Sequence, residues 1–134
     1  MSVVKSKRGE SDMEFIHTAR ELQIYTIKKC AAFPKRYPFY INQPIAELAN
    51  RIYTCAVMAN SIYPTNAHEV QLRRDCLLKA NATLYSLVSQ IETAHEIFGL
   101  ETRVMKYWMT LVSREIRLVK GVLKKDKARY QNIR

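Results

Sequence analysis

The sequence predicts an all-α fold, an antiparallel up-down-up-down four-helix bundle. In four stretches the apolar residues recur at intervals of three, four and seven positions, which places them on one face of a helix. No stretch alternates between apolar and polar residues in the manner of a strand. The connections between these stretches are roughly two to eight residues long, so consecutive helices are expected to lie antiparallel. The length of 134 residues suits one domain.

The first helix is predicted to follow a short tail. Residues 1–10 lack apolar periodicity and are predicted to form a flexible basic tail. Ser11 is predicted to cap the helix, with Glu14 as the second member of a capping box. The helix is expected to end before Pro34, because proline disfavours helical geometry in the residue that precedes it. The loop that follows mixes basic and aromatic residues in the sequence PKRYPFYIN.

The second helix is predicted from its cap and its stop signal. Asn42 is expected to cap it, with Pro44 tolerated in the first turn, and Pro64 ends it. Its apolar stripe is rich in alanine, which favours close packing against neighbouring helices.

The third helix is predicted to be the longest, about 50 Å at 1.5 Å per residue. Asn66 is expected to cap it with Glu69 as the capping-box partner, and Gly99 is expected to adopt a left-handed conformation at its end. Three polar residues interrupt its apolar stripe: Arg73, Asn81 and His95. We expect His95 to lie in the interior or at an interface.

The fourth helix is predicted to begin near Glu101, with Trp108 on its inner face. It is expected to fray past Leu123, so that the bundle spans 11–124 and residues 125–134 form a basic C-terminal tail. These bounds complete the predicted organisation of the chain.

Glu115 falls near the centre of the apolar face of the fourth helix, between Leu111 and Leu118. A carboxylate there is costly unless it is paired or hydrogen-bonded. Two interpretations remain open. Either Glu115 contacts Asn81 or an arginine inside the monomer, or this face also meets a neighbouring subunit.

Composition indicates where the protein acts and what it binds. The formal net charge is +10, and residues 103–134 contain ten Lys or Arg against two acids. This excess favours a polyanionic partner. Three cysteines without CxxC spacing favour neither disulfides nor zinc, which predicts a reducing cytoplasm. No apolar run is long enough to span a membrane, and the charged N-terminus is unlike a secretory signal.

Two Glu-x-x-His motifs, Glu14–His17 and Glu92–His95, formally match half of a carboxylate di-iron site, and Glu47 and Glu115 lie on the other helices. However, the two motifs are expected at opposite ends of the bundle, roughly 35 to 40 Å apart. We therefore predict no metal, no cofactor and no catalytic residues, and a protein that is not an enzyme.

Basic residues define the candidate functional face. Four of them follow one another at three- and four-residue steps on the outer face of the fourth helix: Arg114, Arg117, Lys120 and Lys124. Lys125 extends this series, and such a stripe suits the phosphate backbone of nucleic acid. On the third helix, Arg73 and Arg74 are either buried ion-pair partners or further phosphate contacts.

Three segments carry a family resemblance: PKRYPFYI, then ANSIYPTNAHEVQLRRDCLLKAN, then the Trp-containing helix that ends in RLVKGVLKKDKARY. Over roughly residues 8 to 130 the chain resembles the four-helix-bundle proteins related to the 23S ribosomal RNA intervening-sequence protein. Within them it is most similar to the accessory variability determinant proteins of diversity-generating retroelements. This resemblance implies a non-enzymatic partner of the retroelement reverse transcriptase. It further implies a positively charged, barrel-shaped homopentamer that binds RNA or DNA during mutagenic copying of template RNA into complementary DNA.

Two other interpretations stay open at the level of sequence. One is an intervening-sequence-type bundle with an RNA-linked or unknown role and no reverse transcriptase partner. The other is an enzyme, most plausibly a metal-dependent bundle.

Overall fold

Four long helices pack side by side in the computed structural model, which describes residues 2–134 and their side chains from Met13 onward. The helices are α1 (Ser2–Ala31), α2 (Gln43–Ser61), α3 (Ala67–Phe98) and α4 (Thr102–Arg129). Each contacts the next in sequence, and α4 returns to contact α1. The predicted all-α four-helix bundle is confirmed.

The core lies along the common axis of the four helices, and its largest side chain is Trp108. The indole Nε1–H of Trp108 donates a hydrogen bond to Thr26 Oγ1 at 3.0 Å, which satisfies the polar atom of an otherwise apolar ring. Around it pack fully buried apolar side chains from all four helices, including Leu22, Ile52, Leu84 and Leu111. Each such side chain contributes about 1.5–3 kcal/mol by burial.

The start of α3 is close to the prediction. The Asn66 side chain accepts a hydrogen bond from the Glu69 backbone N–H at 2.9 Å, as an N-cap residue should. The Glu69 carboxylate, however, accepts from both the backbone N–H and the hydroxyl of Thr65, at 2.7 and 2.6 Å. These bonds lower the pKa of Glu69. In a standard capping box this carboxylate would accept from the backbone N–H of the cap residue, Asn66. Here it binds the residue before the cap, Thr65, instead.

The end of α3 is also stabilised by local hydrogen bonds. Gly99 has a φ of 74°, as predicted for a residue that ends a helix in the left-handed region. His95 does not lie in the interior: it is exposed, and its Nδ1 accepts a hydrogen bond from the Leu100 backbone N–H at 2.9 Å. His95 therefore stabilises the end of α3, because it lies in the last turn of this helix and not on its buried face.

Two predicted helix ends were wrong. α1 begins at Ser2 and not at Ser11, since no proline interrupts this part of the chain. The side chains of the predicted basic tail and of Ser11 lie outside the described residues. α4 continues to Arg129, so the first half of the predicted tail 125–134 is helical.

A turn of π-helix, Pro38–Asn42, leads directly into α2. Asn42 has helical backbone angles and its side chain forms no capping hydrogen bond, so the predicted cap was wrong. Because the preceding turn already supplies backbone carbonyls, the first N–H groups of α2 do not depend on a side chain there. This turn carries the aromatic loop at the end of the bundle where α1 and α3 finish.

Candidate nucleic-acid interface

The outward face of α4 presents basic side chains to solvent. Trp108, Val112 and Val119 turn into the core, which leaves the opposite side of the helix outside. Arg117 and Lys124 are exposed there and lie two helical turns apart, about 10 Å along the axis. Among residues 13–134, neither side chain forms an ion pair. Two exposed residues continue this face toward the start of α4: Arg103 and Lys106.

The two other members of the predicted stripe turn toward opposite neighbours. Arg114 leans toward α1, where its Nη1 lies 3.6 Å from Glu21 Oε2. Both side chains are roughly half exposed, so this pair contributes little to stability. Lys120 leans toward α3, where its Nζ donates to the Tyr85 hydroxyl at 2.9 Å and lies 5.4 Å from the ring centroid. Tyr85 holds the lysine in place without neutralising it.

Neither of the two acids in residues 103–134 places a negative charge on the surface beside these basic side chains. Glu115 is 0% exposed, and burial raises its pKa to about 9, so its carboxyl is neutral at pH 7. Asp126 is buried and pairs with Arg73 of α3. With Glu115 protonated, the net charge is one unit above the formal +10. The exposed cations of α4 therefore act with almost no acid beside them.

The environment of Glu115 is settled by its burial within a single chain. Because the side chain is already inaccessible in the monomer, the carboxyl does not face a neighbouring subunit. The intramolecular contact to Asn81 or an arginine is not observed either, since neither carboxyl oxygen has a hydrogen-bond partner among the described residues. Asn81 Oδ1 is likewise buried and unpartnered there.

Arg73 is removed from the predicted phosphate contacts. Its Nε and Nη2 donate to the two oxygens of Asp126 at 2.6 and 3.3 Å, and its Nη1 donates to the Ala59 carbonyl at 2.8 Å. The guanidinium is buried and all three nitrogens are engaged. It ties the start of α3 to the end of α2 and of α4. The buried ion pair, one of the two interpretations left open by the sequence, is the observed one.

Arg74 and Lys125 lie on either side of this ion pair at the same end of the bundle. Arg74 is half-buried in the cleft between α3 and α4, beside Lys127 and Tyr130. Lys125 is exposed and lines a separate cavity that Arg73 also borders. Both cations are accessible near the C-terminal end of α4. They lie beside its outward face and are not part of that face.

The remaining reactive groups are the cysteines and the potential metal ligands. The three cysteines are free thiols, and burial raises the pKa of Cys30 to about 12 and also raises that of Cys55. The thiols of Cys30 and Cys55 therefore stay protonated at neutral pH and are poor nucleophiles. Within the described part of the chain, no group of three or more His, Cys, Asp or Glu is placed to hold a metal ion. None of the described helices combines the length and apolarity required to cross a bilayer.

Sequence reasoning missed two residues that interact with the basic side chains of α3 and α4. Tyr85, the support of Lys120, lies 35 residues away in the chain, and only the antiparallel register of α3 and α4 brings the two together. Asp126 was predicted to lie in the basic C-terminal tail, whereas it is buried against Arg73. Comparison with known proteins adds no neighbour, since no protein-family model, curated protein or solved structure matches the chain.

Proposed function

We propose that this protein is a non-enzymatic, nucleic-acid-binding accessory subunit. The single observation that carries the proposal is the outward face of α4, where Arg117 and Lys124 are exposed and unpaired among the described residues. The burial of Glu115 and Asp126 supports it, because it removes the nearby negative charge from the surface. Phosphates are the natural partner of such a face.

The physical mechanism is electrostatic. Each phosphate that meets a lysine or arginine releases condensed counterions, and this release supplies affinity for any sequence. An α-helix of the length of α4, Thr102–Arg129, extends about 40 Å, so one subunit can follow several phosphates of a strand or duplex. The protein would hold its nucleic acid in place and leave the chemistry to a partner enzyme.

The identity of that partner rests on the family resemblance. A relative of the accessory variability determinant proteins would bind the reverse transcriptase of a diversity-generating retroelement and support mutagenic synthesis of complementary DNA. It would do so as a homo-oligomeric ring, a pentamer, in the cytoplasm. A ring would repeat the face of α4 around one axis and multiply its attraction for a polyanion. A reverse transcriptase gene beside the gene for this chain is the observation that separates this role from that of an intervening-sequence-type protein.

The basic face is tested by removing three charges from it: Arg117→Gln, Lys120→Gln and Lys124→Gln together. We expect weaker binding to all sequences alike. The slope of log affinity against log salt for duplex DNA should become shallower by about 0.9 per lost phosphate contact, about 2.7 for three. Fluorescence anisotropy of a labelled duplex over a salt series measures both quantities.

A matched control removes the same number of charges from exposed positions on the other helices: Lys28→Gln, Arg51→Gln and Lys79→Gln. It should change the affinity and the salt slope much less than the α4 variant does. Equal losses in the two variants would mean that net charge, and not the face of α4, determines binding. Unchanged binding in the α4 variant would place the interface elsewhere.

A further inference from the structure

Two aromatic rings stand out of the bundle at the end opposite to the Arg73–Asp126 ion pair. Phe39 is 75% exposed and Tyr40 is 82% exposed, both within the π-helical turn Pro38–Asn42. Burial of an aromatic side chain ordinarily stabilises a fold, so two adjacent rings left in water contribute nothing to the stability of this one.

The turn that carries these rings is firmly attached to the core. On one side Tyr37 stacks on Phe98 of α3, with 6.2 Å between ring centroids and 14° between planes. On the other side Ile41 is 3% exposed. The Tyr37 carbonyl accepts from the backbone N–H groups of both Ile41 and Asn42, at 3.0 and 3.2 Å. The anchors before and after the rings fix the backbone from which Phe39 and Tyr40 project.

The aromatic network continues from this anchor into the interior. Phe98 contacts Phe33 with centroids 4.9 Å apart, and Phe33 lies 6.0 Å from Trp108. A ligand that binds the exposed rings would therefore meet a turn whose backbone is already ordered, so binding costs little backbone entropy.

The loop that carries the rings is positively charged. Lys35 and Arg36 are exposed immediately before the turn, and no acid occurs in the sequence between Glu21 and Glu47. Aromatic rings and arginine are also enriched in protein–protein interfaces, but lysine is depleted there. Aromatic rings beside both kinds of cation are the usual arrangement for single-stranded nucleic acid. The rings supply flat faces for bases, and the cations suit the phosphates between them.

We propose that Phe39 and Tyr40 form a stacking platform for unpaired bases of single-stranded RNA or DNA, with Lys35 and Arg36 at the adjacent phosphates. This inference rests on the proposed nucleic-acid role and deepens it. The face of α4 does not distinguish single strands from duplexes, but the platform does, because the base faces of a duplex are already covered by their neighbours. The platform therefore selects an unpaired stretch of template.

The test compares Phe39→Ala/Tyr40→Ala with Phe39→Tyr/Tyr40→Phe, which retains both rings. Affinities are measured for a single-stranded oligonucleotide, for the same strand with abasic positions, and for a duplex. We expect the alanine variant to lose about 5- to 150-fold in single-strand affinity for each stacked base. Its salt slope and its duplex affinity should not change, and the ring-retaining variant should bind like the natural protein. Tyr63→Ala, which removes an 80% exposed ring from the opposite end of the bundle, is the control and should have no effect.

Four results would overturn the platform while leaving the basic face intact. The first is equal affinity of the natural protein for the abasic and the complete strand, and the second is an equal loss of duplex and single-strand affinity in the alanine variant. A smaller particle mass for the alanine variant would identify the rings as a contact between subunits. Loss of reverse transcriptase binding with unchanged single-strand affinity would identify them as a protein docking surface. Failure of the natural protein to bind either nucleic acid would instead refute the proposed function itself.

Discussion

Glu115 is the position where one substitution should change the stability of the whole bundle. Its carboxyl is fully buried on α4, between Leu111 and Val119, and has no hydrogen-bond partner among the described residues. Burial raises its pKa from 4.5 to about 9. The folded protein therefore holds a proton on Glu115 that the unfolded chain releases at much lower pH.

The magnitude follows from this difference in pKa. At about 1.4 kcal/mol per pKa unit, the shift from 4.5 to about 9 corresponds to about 6 kcal/mol. The sign is set by proton binding: the folded state binds the proton more tightly, so stability is greatest below the unfolded pKa of 4.5 and is lost as pH rises toward 9. Between pH 5 and pH 8 the loss is about 4 kcal/mol, a large part of the 5–15 kcal/mol that stabilises an ordinary domain.

The assay is urea unfolding, followed by helical circular dichroism, of the natural protein and of Glu115→Gln between pH 5 and pH 8. The amide has nearly the same shape as the carboxyl and never ionises. We expect similar free energies of unfolding at pH 5, and an advantage for the variant that grows by about 4 kcal/mol by pH 8. Glu92→Gln, which removes an exposed carboxylate from α3, controls for the loss of one acidic group.

A pH-independent difference between Glu115→Gln and the natural protein would refute this reasoning. It would mean that the carboxyl reaches water or a cation in the folded protein. Glu115→Met provides a second check, since an apolar side chain of similar length should stabilise the bundle by removing the unpartnered oxygens.

Two further predictions concern the ion pair and the assembly. Removing one member of the buried pair, by Arg73→Met or Asp126→Asn, should cost about 3–5 kcal/mol in urea unfolding. The double variant Arg73→Met/Asp126→Leu should recover much of that loss, and equal stability of the single variants and the natural protein would show that the pair is hydrated. For the assembly, light scattering behind size exclusion should report five times 15.6 kDa. A monomer at tens of micromolar would contradict the ring.

The fold was predictable because its signals are local. Apolar spacing places Leu77, Leu84 and Ile91 on one face of α3 whatever the rest of the chain does, and the structure buries all three. Asn66 and Gly99 delimit that helix through hydrogen bonds and backbone geometry within a few residues. Helix boundaries that lacked such signals, at Ser2 and Arg129, were predicted wrongly.

The candidate site was harder to predict because it depends on contacts between distant residues. Asp126 sits in the basic run KKDKAR and therefore looks like part of a solvated tail. It nevertheless follows Val119 by seven positions, which places it on the inner face, where Arg73 interrupts the stripe of α3. The ion pair was therefore predictable, because an acidic residue on the inner face of α4 and a basic residue on the inner face of α3 can neutralise each other. The sequence does not reveal which loop aromatics turn outward, because that depends on the π-helical turn, and neither Tyr37 nor Phe39 carries a distinguishing pattern.

The inner face of α4 holds only neutralised acids, whereas its outward face concentrates positive charge. This concentration of charge has a cost in stability. The inner face accommodates Glu115 only as a neutral acid and Asp126 only as an ion pair, while Arg117 and Lys124 remain outside without compensating acids among the described residues. Like charges concentrated on one helix repel one another and disfavour the compact state. If the proposed function is correct, a polyanion relieves that repulsion when it binds, so part of the binding affinity comes from the protein itself. Arg73 takes no part in this exchange, because its charge is already neutralised inside the bundle. Only the exposed cations can release counterions, and they set the upper limit of the salt dependence.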